Sequence, residues 1–258
     1  MQQEVISVET KLSTHRLNEI YLRDKNLVDD VMGKMSFTDA MFYHILGTHP
    51  TCGQTAVLDA VLVTLMEHGL TPSAISTRLT YLSAPEAMQS AIAAGLLNVG
   101  SQFIGTMENT ATLLAQIHAD PAGVEASCQH IVQKHKDSGK HMPGFGHHLH
   151  RPDDPRSPKL FAIAAAFDDV DQRPISTIKT LGSVVDKIYG KHLTINATGA
   201  TAAVLMGAGI PARIIRGFAV ISRTAGLVAH LMEEQEKPTG RAIWDLVDNS
   251  ITYTGKAE

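Results

Sequence analysis

The sequence predicts an all-α protein, and three observations carry that reading. From Leu27 onward Ala, Leu, Met and Ile recur three and four residues apart, the period that gives a helix one apolar face. Alternating β-branched runs, which a half-buried strand needs, are scarce. Serine, glycine and Asp-Pro steps punctuate the chain where helices should start and stop.

Taken in order, residues 1–25 alternate only weakly through Val5, Ile6 and Val8 and predict a short strand or an arm. Ser36 is placed to cap a helix through Leu46, its hydroxyl accepting an orphan backbone N–H. Gly53 opens the next, apolar from Val57 to Met66 and stopping at His68-Gly69, with Gly69 as the left-handed residue past its end. Ser83 and Glu86 have the spacing of a capping box and predict a helix to Leu97. Asp120-Pro121 opens another, with Gly139 beyond it. Later helices are predicted over 159–167, 175–189, 200–206 and 212–234, about ten helices in all. No repeat of 20 to 50 residues and no low-complexity segment interrupts the pattern.

Composition narrows the function classes. The 258 residues can bury a substantial core in one domain or two. Lys and Arg total 22 against 26 Asp and Glu, a formal charge of −4, with no basic stripe for a nucleic acid backbone. Cys52 and Cys128 form neither a zinc spacing nor a disulfide framework, which suits a reducing cytosol. The first residues, MQQEVISVETK, are polar and unlike a signal peptide, and no apolar run reads as long enough to span a bilayer. A soluble cytoplasmic protein without nucleic acid or membrane partners and without a metal is expected.

Chemistry concentrates between Pro143 and Arg156, in PGFGHHLHRPDDPR. Gly144 and Gly146 bracket Phe145 and predict a tight loop whose backbone can approach a ligand. His147, His148 and His150 follow, then Arg151 and Arg156 around Asp153-Asp154-Pro155. An imidazole moves protons near neutral pH, and guanidiniums hold carboxylate or phosphate oxygens in pairs. The combination suits a small anionic substrate with a reactive oxygen; a solvated turn with chance His and Arg is the plain alternative.

The pattern G-F-G-H-x-L-x-R-x-x-D-P-R resembles the signature of the citrate synthase family. A second match, Ile210-Pro211 followed by Ala219 through Gly226 and Ala229-His230, resembles that family's helix with a carboxylate-binding arginine. The short chain is similar to the citryl-CoA lyase form. This resemblance implies a large helical domain (1–109 and 212–258), a smaller inserted one (110–211), and a homodimer with shared active sites. It implies that His68 hydrogen-bonds an oxo-acid and that His147 polarises the ketone oxygen or, in cleavage, removes the hydroxyl proton. By the same resemblance Arg156 and Arg223 clamp substrate carboxylates. Arg151 would meet coenzyme A phosphates, the loop Gly144-Phe145-Gly146 would wrap the adenine, and Arg241 would be donated to the partner's site, although its spacing departs from the family's. Arg223 lies in an apolar helix, where a buried anionic partner is expected for it, a structural salt bridge being the alternative.

Two departures stand out. The family's second catalytic histidine aligns with Phe103 in Gly100–Glu108, and its catalytic aspartate with Thr198 in Asn196-Ala197-Thr198. Phenylalanine moves no proton, and a threonine hydroxyl is too weak a base at neutral pH. Cleavage passes through the same thioester enol as synthesis, so both directions feel the loss, about 10² to 10⁴ in rate for one acid–base group. Glu108 and His192 are the nearby candidates to substitute. The expected function is therefore cleavage or formation of a C–C bond in a carboxylated 3-hydroxyacyl-CoA. The alternatives are a hydrolase or lyase whose chemistry needs no thioester enolate, and a catalytically silent subunit that binds a di- or tricarboxylate.

Overall fold

The computed structural model describes residues 8–255; Val5 and Ile6 lie outside the described residues, and Val8 is exposed. In place of one strand or arm, the chain begins with an antiparallel meander of three short strands, β1 Ser13–Arg16, β2 Glu19–Leu22 and β3 Lys25–Asn26. Ser13 pairs with Leu22, and Tyr21 with Asn26. Arg23, in the second turn, donates to the carbonyls of His44 (2.8 Å) and Ile45 (3.2 Å). A cation on the last carbonyls of α1 (Phe37–Leu46) ties the meander to the helices.

The remaining elements are all helical. Ser36 caps α1 as expected, accepting from Asp39 N at 3.0 Å. The second helix, α2 Cys52–Met66, starts one residue earlier than Gly53 and is capped by Thr51 and Gln54 in a reciprocal box. Gly69 does adopt a left-handed φ of 73°, but the helix has already ended, with Glu67 extended. The predicted Ser83–Glu86 box does not form. Ser83 is instead the last residue of α3 (Pro72–Ser83), its hydroxyl donating back to Leu79 O at 3.2 Å. Pro85 bars helical backbone at Ala84, so α4 begins only at Met88 and runs to Leu96.

Next come α5 Thr106–Ala119, α6 Val124–Asp137, α7 Arg156–Ala165, α8 Arg173–Tyr189 and α9 Ala197–Gly207. A 3₁₀ turn over Ala212–Ile214 leads into α10 Ile215–Glu236, and α11 Gly240–Ser250 follows. Helices α7 and α9 each start three residues before the predicted positions, which brings Arg156 and Thr198 into first turns.

Two apolar clusters hold these helices. The larger draws on both sides of the boundaries expected near 110 and 211, joining Phe42, Leu58 and Phe218 to Leu160, Ile178 and Leu205. The smaller, around Ile117, Cys128, Val132 and Leu181, lies wholly within residues 110–211, and Phe145 packs against both. One correction concerns apolar length. The stretch Ala212–Glu236 is a helix of 25 residues with a hydropathy of 1.3, enough by length and composition to cross a bilayer. Its apolarity has a nearer cause: α10 packs on α2, α3, α4 and α5, and it buries Arg223.

Candidate functional site

The Pro143–Arg156 loop is laid over the start of α9. Gly146 N donates to Thr194 O (2.8 Å), Asn196 N to Gly144 O (3.0 Å) and Asn196 Nδ2 to Gly146 O (2.9 Å). Gly144 has φ 82°, and a Cβ there would lie 2.7 Å from Thr110 Oγ1 and 2.9 Å from Gly199 Cα, so only glycine fits. The Phe145 ring turns inward and anchors the loop to both cores.

Asp154, fully buried at the loop's end, is the residue sequence reasoning passed over. Its carboxylate accepts from Arg156 Nε (2.9 Å), Arg156 Nη2 (2.8 Å), Arg156 N (3.1 Å) and Ala197 N (2.9 Å). Burial alone would raise this carboxyl, but the Arg156 and Ala197 hydrogen bonds bring it below the usual carboxylate range. The fork fixes Arg156 in the first turn of α7 and leaves Nη1 without a hydrogen-bond partner among the described residues. An Asp two residues before the Arg, beside a Pro, was the available signal.

Three imidazoles converge beside it. His147 lies 5.7 Å from His68 and 4.4 Å from His150 by ring centroids, and His150 lies 5.7 Å from His68. Their ligand nitrogens all fall within 4.8 Å of one another, a grouping that could hold a metal ion. The hydrogen bonding favours another use. His147 Nδ1 accepts from the backbone N–H of Leu149 (3.1 Å) and His150 (3.0 Å), so its neutral ring carries the proton on Nε2. Neither nitrogen then offers a lone pair to a metal, whereas Nε2–H is a directed donor to a ligand oxygen. Burial first, then His150, His148 and Arg156, push the His147 imidazolium down to about 4, so the donor stays neutral at pH 7. Of the two roles expected for His147, the geometry fits polarisation of an oxygen rather than removal of its proton. His68 keeps an exposed face by area. Its imidazolium is nonetheless disfavoured, by the protein packed around the ring first and by Arg156, His150 and Arg223 after it.

Arg223 completes the group from α10. It is 3% exposed, and its Nε and Nη1 have no hydrogen-bond partner among the described residues. Burial pulls its guanidinium below the ordinary value, with the Glu67 carboxylate the opposing influence. Gly226, one turn further along α10, brings the end of α2 against it: a Cβ there would sit 2.0 Å from Met66 O. Glu67 then accepts from the backbone of His68 (2.7 Å) and Gly69 (2.6 Å) and lies 3.0 Å from His230, fixing His68 over the site.

The family model described as "Citrate synthase, C-terminal domain" matches residues 11–244. The chain belongs to the citrate synthase family. It is 26% identical to the 2-methylcitrate synthase of Shewanella oneidensis over 215 residues, 82% of this chain and 54% of that one. The chain spans about half the length of the curated relatives it matches. Among solved structures it is similar to citryl-CoA lyase from Hydrogenobacter thermophilus, with a TM-score of 0.85, 28% identity and coverage of 97% and 96% of the two chains. It also shares the fold of ATP citrate lyase from Methanothrix soehngenii, solved with citrate and coenzyme A, at a TM-score of 0.78 and 17% identity, covering 98% and 42%.

Phe103 and Thr198, the two departures read from the sequence, are linked through Thr106. Phe103 is 62% exposed on the turn before α5, and its carbonyl accepts from Thr106 Oγ1 at 2.8 Å. That hydroxyl lies 2.8 Å from Thr198 Oγ1, which donates to Asn196 Oδ1 at 2.7 Å. Neither supplies a titratable group. Both substitutes expected from sequence are already engaged. The Glu108 carboxylate lies 2.7 Å from Arg216 Nε. His192 bridges Asp186 (2.6 Å) and Asp153 (3.0 Å), which raise its imidazolium.

Arg151 is exposed on the rim of a neighbouring cleft of about 700 Å³ that shares His147 and His150 with the cluster. Lys136, Lys140, Lys191, His192 and Tyr189 line it too, and no carboxylate does among the described residues. Gly146 and Phe145 also line it, whereas Gly144 does not. Arg241 stands apart, bonded to Asp245 at 2.9 Å and stacked over Trp244.

Proposed function

We propose that this protein cleaves or forms a C–C bond in a carboxylated 3-hydroxyacyl-CoA, in the manner of a citryl-CoA lyase. The observation that carries the reading is Arg223. A buried guanidinium with two unpartnered nitrogens is costly unless a ligand anion completes it. Arg223 and the Nη1 edge of Arg156 would hold the carboxylates of the oxo-acid half. His147 Nε2–H would donate to the ketone or hydroxyl oxygen, and His68 would hydrogen-bond the same half. The cleft carrying Lys136, Lys140, Arg151 and Lys191 has the charge to receive the phosphates of a coenzyme A thioester as substrate or product. The exposed apolar residues Trp244, Leu246, Val247 and Ile251 suit a homodimer in which Arg241 reaches a second copy's site.

A second reading has one specific observation in its favour. Thr198 is locked between Asn196 and Thr106, with no base at that position, as expected of a subunit that binds a dicarboxylate without turning it over.

The test is direct. Citrate or oxaloacetate at about 100 times Kd should stabilise the protein by roughly 2.7 kcal/mol, a rise of about 5 to 10 °C in Tm. Citryl-CoA should then yield oxaloacetate and acetyl-CoA. Stabilisation without product would favour the silent reading, and neither effect would end both.

A further inference from the structure

We propose that His150 is the proton-transfer residue of this site, a role that rests on the lyase reading above and that takes over the proton removal which the family resemblance gives to His147. The other titratable groups around His147 are exposed or already engaged. His148 stacks on the His147 ring at 4.6 Å but is exposed to solvent. His147 is committed as a donor, because its Nδ1 already accepts two backbone N–H groups. Asp154 is saturated by Arg156 and Ala197 N. Glu67 holds the backbone of His68 and Gly69, Glu108 faces Arg216, and His192 is held between two aspartates.

His150 is different. It is half-buried, neither of its ring nitrogens makes a hydrogen bond among the described residues, and its ring lies 4.4 Å from that of His147. Its own backbone N–H is one of the two that orient His147, so the donor and the free imidazole are set by one short loop. His68 is also unbonded, but it approaches from α2 at 5.7 Å from both rings and faces Arg156 and Arg223, which disfavour a proton on it. That suits a neutral binding group better than a proton carrier.

The step balances without any outside reactant. In cleavage, His147 Nε2–H donates to the tertiary hydroxyl oxygen while a His150 ring nitrogen accepts the hydroxyl proton. The O–H electron pair forms the C=O of the oxo-acid, and the C–C pair passes to the thioester as its enolate. Protonated His150 then returns the proton to the enolate α-carbon and is neutral again. Formation runs the same sequence backward.

The test compares wild type with His150→Gln and His150→Asn, two variants so that one folded protein is available. Citrate-induced melting shifts report the integrity of the site. Citryl-CoA cleavage then reads the chemistry. A fall in kcat of about 10² to 10⁴ is expected with KM little changed, together with partial rescue by added imidazole. An unchanged kcat in either folded variant, or a loss confined to KM, overturns the assignment. A wild type that binds citrate but does not cleave citryl-CoA overturns the lyase reading on which the assignment rests. A wild type that does not bind citrate overturns the functional reading beneath it instead.

Discussion

Replacing Arg223 by methionine separates a binding arginine from a structural one. The free protein buries this guanidinium with Nε and Nη1 unsatisfied and only Glu67 as an opposing charge. Methionine has similar length and no charge to desolvate, so Arg223→Met should leave stability unchanged or raise it by about 1 to 4 kcal/mol. Binding should move the other way. Two charge-assisted hydrogen bonds to one carboxylate are lost in a buried setting, where truncating one partner costs about 2 to 5 kcal/mol. That range corresponds to a citrate Kd weakened roughly 30-fold to a few thousand-fold. Arg156→Met should cost less, because Asp154 already engages Nε and Nη2 of Arg156 and leaves only one edge for the ligand. Chemical denaturation gives the first number and titration calorimetry with citrate the second. A variant that is clearly less stable yet binds citrate as well as wild type would show that Arg223 serves the fold, and the carboxylate site would have to be sought elsewhere.

The remaining predictions concern the loop and the two altered positions. His147 titrates in the fold at about 4 against an ordinary 6.5, so the fold favours its neutral form: that contribution is complete above pH 6.5 and is lost as pH falls toward 4. Melting curves of His147→Asn should lack this slope. Gly144→Ala must strain a φ of 82° and press a Cβ to within 2.7 Å of Thr110, costing about 1 to 3 kcal/mol in denaturant titrations, whereas Gly146→Ala, at φ 76° with open space around it, should cost less. Phe103→His combined with Thr198→Asp should raise citryl-CoA turnover more than the two single variants together, because both groups serve one proton transfer. The new aspartate would stand in the first turn of α9, where a carboxylate is favoured. Additive or absent gain would mean that these positions no longer face the reacting carbon.

Legibility followed the reach of the interactions. Helices α8 and α10 bury aliphatic residues on one face, and periodicity found them. Helix α3 buries Ser73, Thr77 and Arg78 instead. It is held by Arg78, which donates to Glu234 (2.6 Å), Thr239 (2.9 Å) and His230 (3.1 Å), partners on distant segments that no local pattern discloses. Helix α11 escaped for the opposite reason, since its apolar residues face outward. In the site, the motif spacing disclosed His147, Arg156 and Arg223 individually. The burial of Asp154 depends on Thr194 and Ala197, about forty residues on in the fold's own contacts, and was not readable from the motif.

His147 is neutral at pH 7, and Arg156 is largely compensated by Asp154, so Arg223, opposed only by Glu67 and bonded to no carboxylate among the described residues, is the least compensated cation at the centre. One such cation matches one carboxylate well. A citryl thioester carries two, so the second must be shared between the open edge of Arg156 and a cation from outside this central group. The cleft lysines lie toward the thioester side in this reading, where phosphates would occupy them. Arg241 brought by a second copy of the chain is the remaining candidate, and in the isolated chain it rests on Asp245 rather than on any site residue. In the proposed reading a single chain would hold one carboxylate in full and a second in part, which is a physical reason to propose that the active unit is a dimer.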